Sequence, residues 1–300
     1  MHIKDTIAKL ILLFITALAI AFGLSVFVFI LFVLLDAGNL HAYLSGGPFL
    51  GEKRMIMKFI LHMAQSAGLI GAVLILYRHE RWESQGWSLG WKERTPFRHA
   101  LLGSFIGLVF IGIAVLFTWL SGHVHIFQFT ALGSEPLSVY AWMNLVMLIV
   151  IAVSEEVFCR GYVQGLLMHR FGSLAGIIGS SAVFTLVHWY NHAMFDSILP
   201  VLNLFLTGLL LGICRAAANG LWLPVGIHVT WTVLYDYIFR SYAGGAPAEG
   251  LMNLDMLGAI IRTAGGFAVE GRIITMGFLL ISILIADRWM HHNRRMWTRF

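Results

Sequence analysis

Leu10–Leu35 is a run of 26 residues without an Asp, Glu, Lys, Arg or His. A hydrocarbon core of about 30 Å is crossed by roughly 20 helical residues, so the run is long enough to span a bilayer. It is too long for a signal-peptide apolar region of about 7–15 residues, and no small-residue cleavage site follows it. A retained first span is therefore expected. Further apolar runs are Phe59–Tyr77, Ala100–Leu120, Val139–Val153 (continuing past a polar patch toward Met168), Ser173–Tyr190, Ser197–Cys214, Leu221–Tyr235 and Ile273–Ala286. The expected fold is all-α, a polytopic membrane bundle of about eight transmembrane helices. Composition agrees. AVILMFWYC supply 59% of the 300 residues and charged residues only 12%, where soluble chains carry about 25% charge. A soluble enzyme, a disordered chain and a disulfide scaffold are excluded.

With spans placed this way, fourteen of the 20 Lys and Arg residues fall on the side that holds the N-terminus. The positive-inside rule then puts both termini in the cytoplasm of a multi-pass plasma-membrane protein. The formal net charge of +5 is this bias. No basic stripe interleaved with aromatics stands outside the membrane connections, so no nucleic-acid partner is expected. Oligomeric state is not encoded in any pattern of the chain. Cys159 and Cys214 lie in apolar runs and read as buried free thiols.

Three parts are expected: 1–138, with three spans and a basic cytoplasmic connection; 139–240, a polar-bearing core; and 241–300, an extracytoplasmic loop, a last span and a basic tail. The connection Arg78–His99 carries Trp82, Trp87 and Trp91, which suits the cytoplasmic interface where indoles prefer to sit. Ser241–Gly271 is rich in Gly and Ala and reads as the loop. The pairs Gly103/Gly107, Gly172/Gly176 and Gly208/Gly212 are spaced to let helix backbones approach closely in lipid.

The informative residues are polar ones inside apolar runs. Glu155, Glu156 and Arg160 stand together in Leu148–Met168. Each ionised group at a helix centre costs about 2.5–3.5 kcal/mol on insertion scales, so pairing must offset much of the total. Glu156 and Arg160 are i and i+4 with the Glu first, the favourable orientation on an α-helix. Glu155 points about 100° away and needs a partner elsewhere. The bland reading is that the three mark a membrane boundary. Against it, His188 and His228 lie in two other apolar runs. His62 and His192 lack such context and read as ordinary core or boundary histidines.

A carboxylate and an imidazole sharing one water can deprotonate it for attack on a carbonyl. A second imidazole can steady the oxyanion that develops. The same Glu and His side chains are also zinc donors, and His188 with His192 forms HxxxH. No Glu follows His188, so the pattern is not HExxH. Both chemistries lead to peptide-bond hydrolysis, and spacing alone does not choose between them.

Glu155-Glu156-Val157-Phe158-Cys159-Arg160-Gly161 resembles the EExxxR motif with its following Gly. Phe184 to His188 resembles FxxxH, and His228 to Thr232 resembles a third signature, His-x-x-x-Asn/Asp. Together, over about Val139–Tyr237, they resemble the CPBP family of CAAX-prenyl-protease type II and bacteriocin-processing integral membrane endopeptidases, also called the ABI family. The resemblance implies a membrane-embedded endopeptidase acting on a peptide or protein. It implies Glu155 as the water-activating base, His188 sharing that water, Glu156 and Arg160 orienting the site or binding substrate, and His228 as an oxyanion or metal group. The family has been described both as metal-dependent and as a metal-free glutamate protease. The metal-free account is preferred, since Glu155 has no compact helical His pair beside it. In the zinc alternative the ligands are Glu155, His188 and His228. Thr232 departs from the pattern: its hydroxyl donates one hydrogen bond where an amide donates two.

Two other classes stay in view. A non-catalytic membrane scaffold or bacteriocin self-immunity protein would keep its phenotype without Glu155 and His188. A proton-coupled transporter would move substrate with the motifs intact, but no inverted repeat is visible.

Overall fold

The computed structural model describes residues 2–35, 51–83, 87–120, 125–129, 139–188, 198–234, 252–255, 276–277, 279–285 and 287–288. Eight α-helices form among them. They are α1 His2–Leu35, α2 Gly51–Glu83, α3 Pro96–Leu120, α4 Val139–Glu156, α5 Gln164–Phe171, α6 Ser173–Val187, α7 Ile198–Ala218 and α8 Trp222–Val233. A π-helix, Val157–Val163, joins α4 to α5. Strands β1 His125–Phe129 and β2 Met252–Asp255 add a short antiparallel ladder, with His125 opposite Asp255. The chain is a helical membrane protein.

Five stretches are long and apolar enough to cross a bilayer: Ile3–Leu34, Ile56–His79, Pro96–Ile113, Trp142–Phe171 and Ile198–Ala218. The fourth run does continue through its polar patch, as its flanking apolar residues suggest. Side chains along α1 such as Leu18, Phe22 and Phe27 are exposed, which suits a lipid-facing helix. About eight spans are expected, and among the described residues eight helices form, of which these stretches are the long ones. α6 has 15 residues and α8 has 12. At 1.5 Å per residue α6 reaches only about 22 Å. Breaks at Gly172, with φ of 87°, and at Asn219, with φ of 51°, set each off from the helix before it. The last expected span, Ile273–Ala286, is described only in pieces, including helical residues 279–285. His192, most of Ser241–Gly271 and the tail from residue 289 lie outside the described residues.

Two compact units emerge, 1–85 with 135–158, and 86–134 with 159–300. In the first, α1 and α2 meet where Gly68 removes a side chain: a Cβ there would stand 2.6 Å from the Ala17 carbonyl oxygen. α4 joins α2 through the Ser154 hydroxyl, which donates to Ser66 at 3.3 Å and to the Ile151 carbonyl at 2.8 Å. Phe14 meets Phe158 edge-on, with ring centroids 5.2 Å apart.

In the second unit α3 and α8 run side by side with almost no side-chain layer between them. A Cβ on Gly103 would strike the Leu223 carbonyl oxygen, and one on Gly107 would lie 2.9 Å from the Ile227 oxygen. On α8, a Cβ on Gly226 would strike the Ala100 carbonyl oxygen and come within 2.9 Å of the Ser104 nitrogen. Gly103 and Gly107 therefore do what small residues do at helix contacts in lipid. Gly208 and Gly212 of α7 do the same against Ser181 and Ile177 of α6. Backbone is the obstacle at Gly226, so Gly226→Ala is expected to destabilise by roughly 1–3 kcal/mol through overpacking. Gly112→Ala, on exposed α3 surface with nothing within 4 Å of the new Cβ, is expected to be neutral or slightly stabilising. Thermal unfolding of the two variants in detergent checks the contrast, and equal melting points would refute the close contact.

Candidate active site

The end of α4 brings Glu155 and Glu156 inside the first unit, 7% and 0% exposed. Immediately after them the winding changes. Val157–Val163 is a π-helix, every residue of it buried. π segments bond i to i+5 and recur at functional sites. Glu156 is the last residue of α4 and Arg160 sits on the π segment, so the winding changes between the two. The chain passes from the first unit to the second at Phe158–Cys159, within this segment.

In the second unit Arg160 is fully buried. Its guanidinium carbon lies 4.2 Å from the centroid of the Phe184 ring. Its Nη2 donates to the Gly208 carbonyl at 3.4 Å. A desolvated cation on an aromatic face gains about 2 kcal/mol. One step along, the Gln164 amide donates to the Gly212 carbonyl at 2.7 Å, and its oxygen accepts from Ser180 at 3.3 Å. Arg160 and Gln164, four apart, thus grip Gly208 and Gly212, also four apart. Gln164 was missed from sequence. Its signal was there, a polar side chain four residues after Arg160 in an apolar run.

Phe184 is the hub. Its ring lies 4.7 Å from the His188 ring and 5.6 Å from the His228 ring, both edge-on. One aromatic plate from α6 thus touches Arg160 of the π segment, His188 at the end of α6 and His228 of α8. Three of the residues singled out by sequence are brought together. Thr232 lies one turn beyond His228 on α8, half-buried. His188 ends α6, and its Nδ1 lies 2.8 Å from the Phe184 carbonyl oxygen. A carbonyl only accepts, so Nδ1 carries the proton and a neutral ring keeps its lone pair on Nε2.

The remaining readings have simpler outcomes. His62 donates from Nδ1 to the Lys58 carbonyl at 2.7 Å, a satisfied helix histidine. Cys159 and Cys214 are buried thiols. The Trp87 ring meets Tyr162 edge-on at 5.4 Å and covers Gly165. Among the described residues no group of three or more His, Cys, Asp or Glu forms that could hold a metal ion. The zinc alternative gains no support from this donor set, and no step below is routed through a metal.

Residues 137–234 match the family model described as Rce1-like, type II CAAX prenyl endopeptidase. The match covers α4 through α8, and so all six singled-out residues. No curated protein and no solved structure gives a significant match to the chain.

Proposed function

We propose that the chain, whose residues 137–234 match the Rce1-like family model, is a membrane endopeptidase of the CPBP kind that hydrolyses a peptide bond of a peptide or protein substrate with a water activated by Glu155 and His188. The observation that carries the reading is the set of His188, His228 and Arg160 around the Phe184 ring. In this mechanism Glu155 takes a proton from the water while Nε2 of His188 accepts a hydrogen bond from it. The water oxygen attacks the scissile carbonyl carbon. His228, assisted by the Thr232 hydroxyl, donates to the oxyanion. Collapse of the tetrahedral intermediate breaks the C–N bond, and Glu155 returns its proton to the leaving amine. Glu156 and Arg160 orient the site. The chain lies in the plasma membrane with both termini cytoplasmic. Substrate reaches the site from the cytoplasm or laterally from lipid, and a prenylated CAAX peptide is one member of the substrate class.

The test is a cleavage assay on purified protein in lipid nanodiscs, using an internally quenched farnesylated CAAX peptide and a non-prenylated peptide pool. The parent is expected to cleave at the same rate with and without chelator. His188→Ala is expected to be slower by about 100-fold, the lower end of a general-base contribution. Equal rates for parent and His188→Ala remove the reading. Loss of cleavage on chelation replaces the metal-free mechanism with a metal-dependent one. Substrate flux without cleavage points to a transporter.

A further inference from the structure

α8 carries His228, yet its N-terminus has no capping residue of its own. Leu221 occupies the cap position and makes no side-chain cap bond. The first N–H groups of an α-helix have no intrahelical acceptor, and leaving them so is costly. Here the acceptors come from a segment about 130 residues away in sequence, outside the family-matched residues. The Leu221 N–H donates to the Gly90 carbonyl at 3.0 Å. The Trp222 N–H donates to Oε1 of Glu93 at 2.9 Å. Pro224, in the same turn, has no N–H to satisfy. Oε2 of Glu93 accepts from Nδ1 of His99 at 2.6 Å, on the first turn of α3. The Glu93 side chain is only 2% exposed. Gly220 makes room for it, because a Cβ there would overlap the carboxylate. The rest of the strap is fastened too. Nη2 of Arg215 donates to the Ser88 carbonyl at 3.1 Å, and the Trp222 indole donates to the Trp91 carbonyl at 3.0 Å.

We propose that Glu93 is a positioning residue: it clamps the first turn of α8 and through that helix sets the position of the His228 ring. His228 is six residues from Trp222, about 9 Å along the axis. A helix of 12 residues has little stability of its own, so the carboxylate at its positive end governs where the first two turns lie. The same side chain also ties α8 to α3 through His99, and Gly103 and Gly107 of α3 pack against α8. The catalytic half of this inference rests on the proposed endopeptidase reading; the clamp itself does not.

The experiment compares parent, Glu93→Ala and Glu93→Gln in nanodiscs by two measurements. Amide hydrogen exchange over residues 221–227 is expected to speed up about five- to tenfold in Glu93→Ala, the effect of losing a helix cap. Exchange over 173–187 stays at the parent level. Glu93→Gln, which keeps an oxygen for the Trp222 N–H, stays close to the parent. In cleavage of the farnesylated CAAX peptide, Glu93→Ala is expected to lower kcat about tenfold or more with KM within twofold, as misplacement of a reacting group does. Glu93→Gln is expected to restore most of that loss. Unchanged exchange in Glu93→Ala overturns the clamp. Faster exchange with parent kcat, or a loss carried by KM or by Glu93→Gln equally, overturns the positioning role. If the parent itself does not cleave, the endopeptidase reading fails, and the exchange measurement still decides whether Glu93 clamps α8.

Discussion

Glu155→Gln is expected to leave a protein that inserts and melts as the parent does, while peptide cleavage falls by about 10²–10⁴-fold. Gln matches Glu in length and shape, and Glu155 is almost fully buried near the end of α4. Removing a charge there makes insertion easier, since an ionised carboxyl near a helix centre costs about 2.5–3.5 kcal/mol. The amide cannot take a proton from water at neutral pH, so only the chemical step suffers. Glu155→Asp separates basicity from position. It keeps the carboxylate but retracts it by one methylene, and a displacement near 1 Å is expected to cost about 100-fold. Cleavage rates together with thermal unfolding check both variants. A Glu155→Gln protein that cleaves at the parent rate shows that another group activates the water.

Much of the helical architecture was legible because lipid simplifies the code. A backbone in hydrocarbon must satisfy itself, so long uncharged runs have to be helices. That rule found the five long spans and the continuation of the fourth toward Phe171. It says less about where one helix gives way to the next. α6 and the described part of α8 are shorter than those spans, and the chain between α7 and α8 turns at Asn219–Gly220. There the Gly220 N–H donates back to the Arg215 carbonyl at 3.3 Å, closing α7. Nor does hydropathy distinguish α from π winding, so the π segment under Arg160 was invisible. The histidines and Arg160 were legible as polar residues out of place in apolar runs. Phe184 was quoted only as a motif letter, because one more Phe among 22 carries no hydropathy signal. Neither Arg215 nor Glu93 stands out in the sequence. Their roles depend on contacts across more than a hundred residues, and no local pattern encodes those.

Phe184→Ala is expected to be the most damaging single truncation in the second unit. Phe→Ala in a core costs about 3–5 kcal/mol, part of it apolar transfer and part the cavity left behind. In a membrane protein the transfer part shrinks, because lipid tails are as apolar as the core. The cavity part stays, and here it opens beneath a buried cation. Arg160 would lose the ring that faces its guanidinium at 4.2 Å, a contact that gains about 2 kcal/mol for a desolvated cation. Together these set the expected loss near 3 kcal/mol or above. The His188 bond to the residue-184 carbonyl survives the substitution, since it uses backbone. The edge contacts of both histidine rings do not. Cleavage is therefore expected to fall by about 100-fold or more in whatever protein remains folded. Phe184→Leu divides the effect. Leu refills most of the cavity, so melting should recover most of the way, yet it offers no aromatic face and the rate should recover less. Thermal unfolding in detergent with cleavage rates corrected for the folded fraction makes the comparison. If Phe184→Leu regains rate and stability in parallel, the ring serves only as filler. If Phe184→Ala melts and cleaves like the parent, the ring does not hold these three groups together.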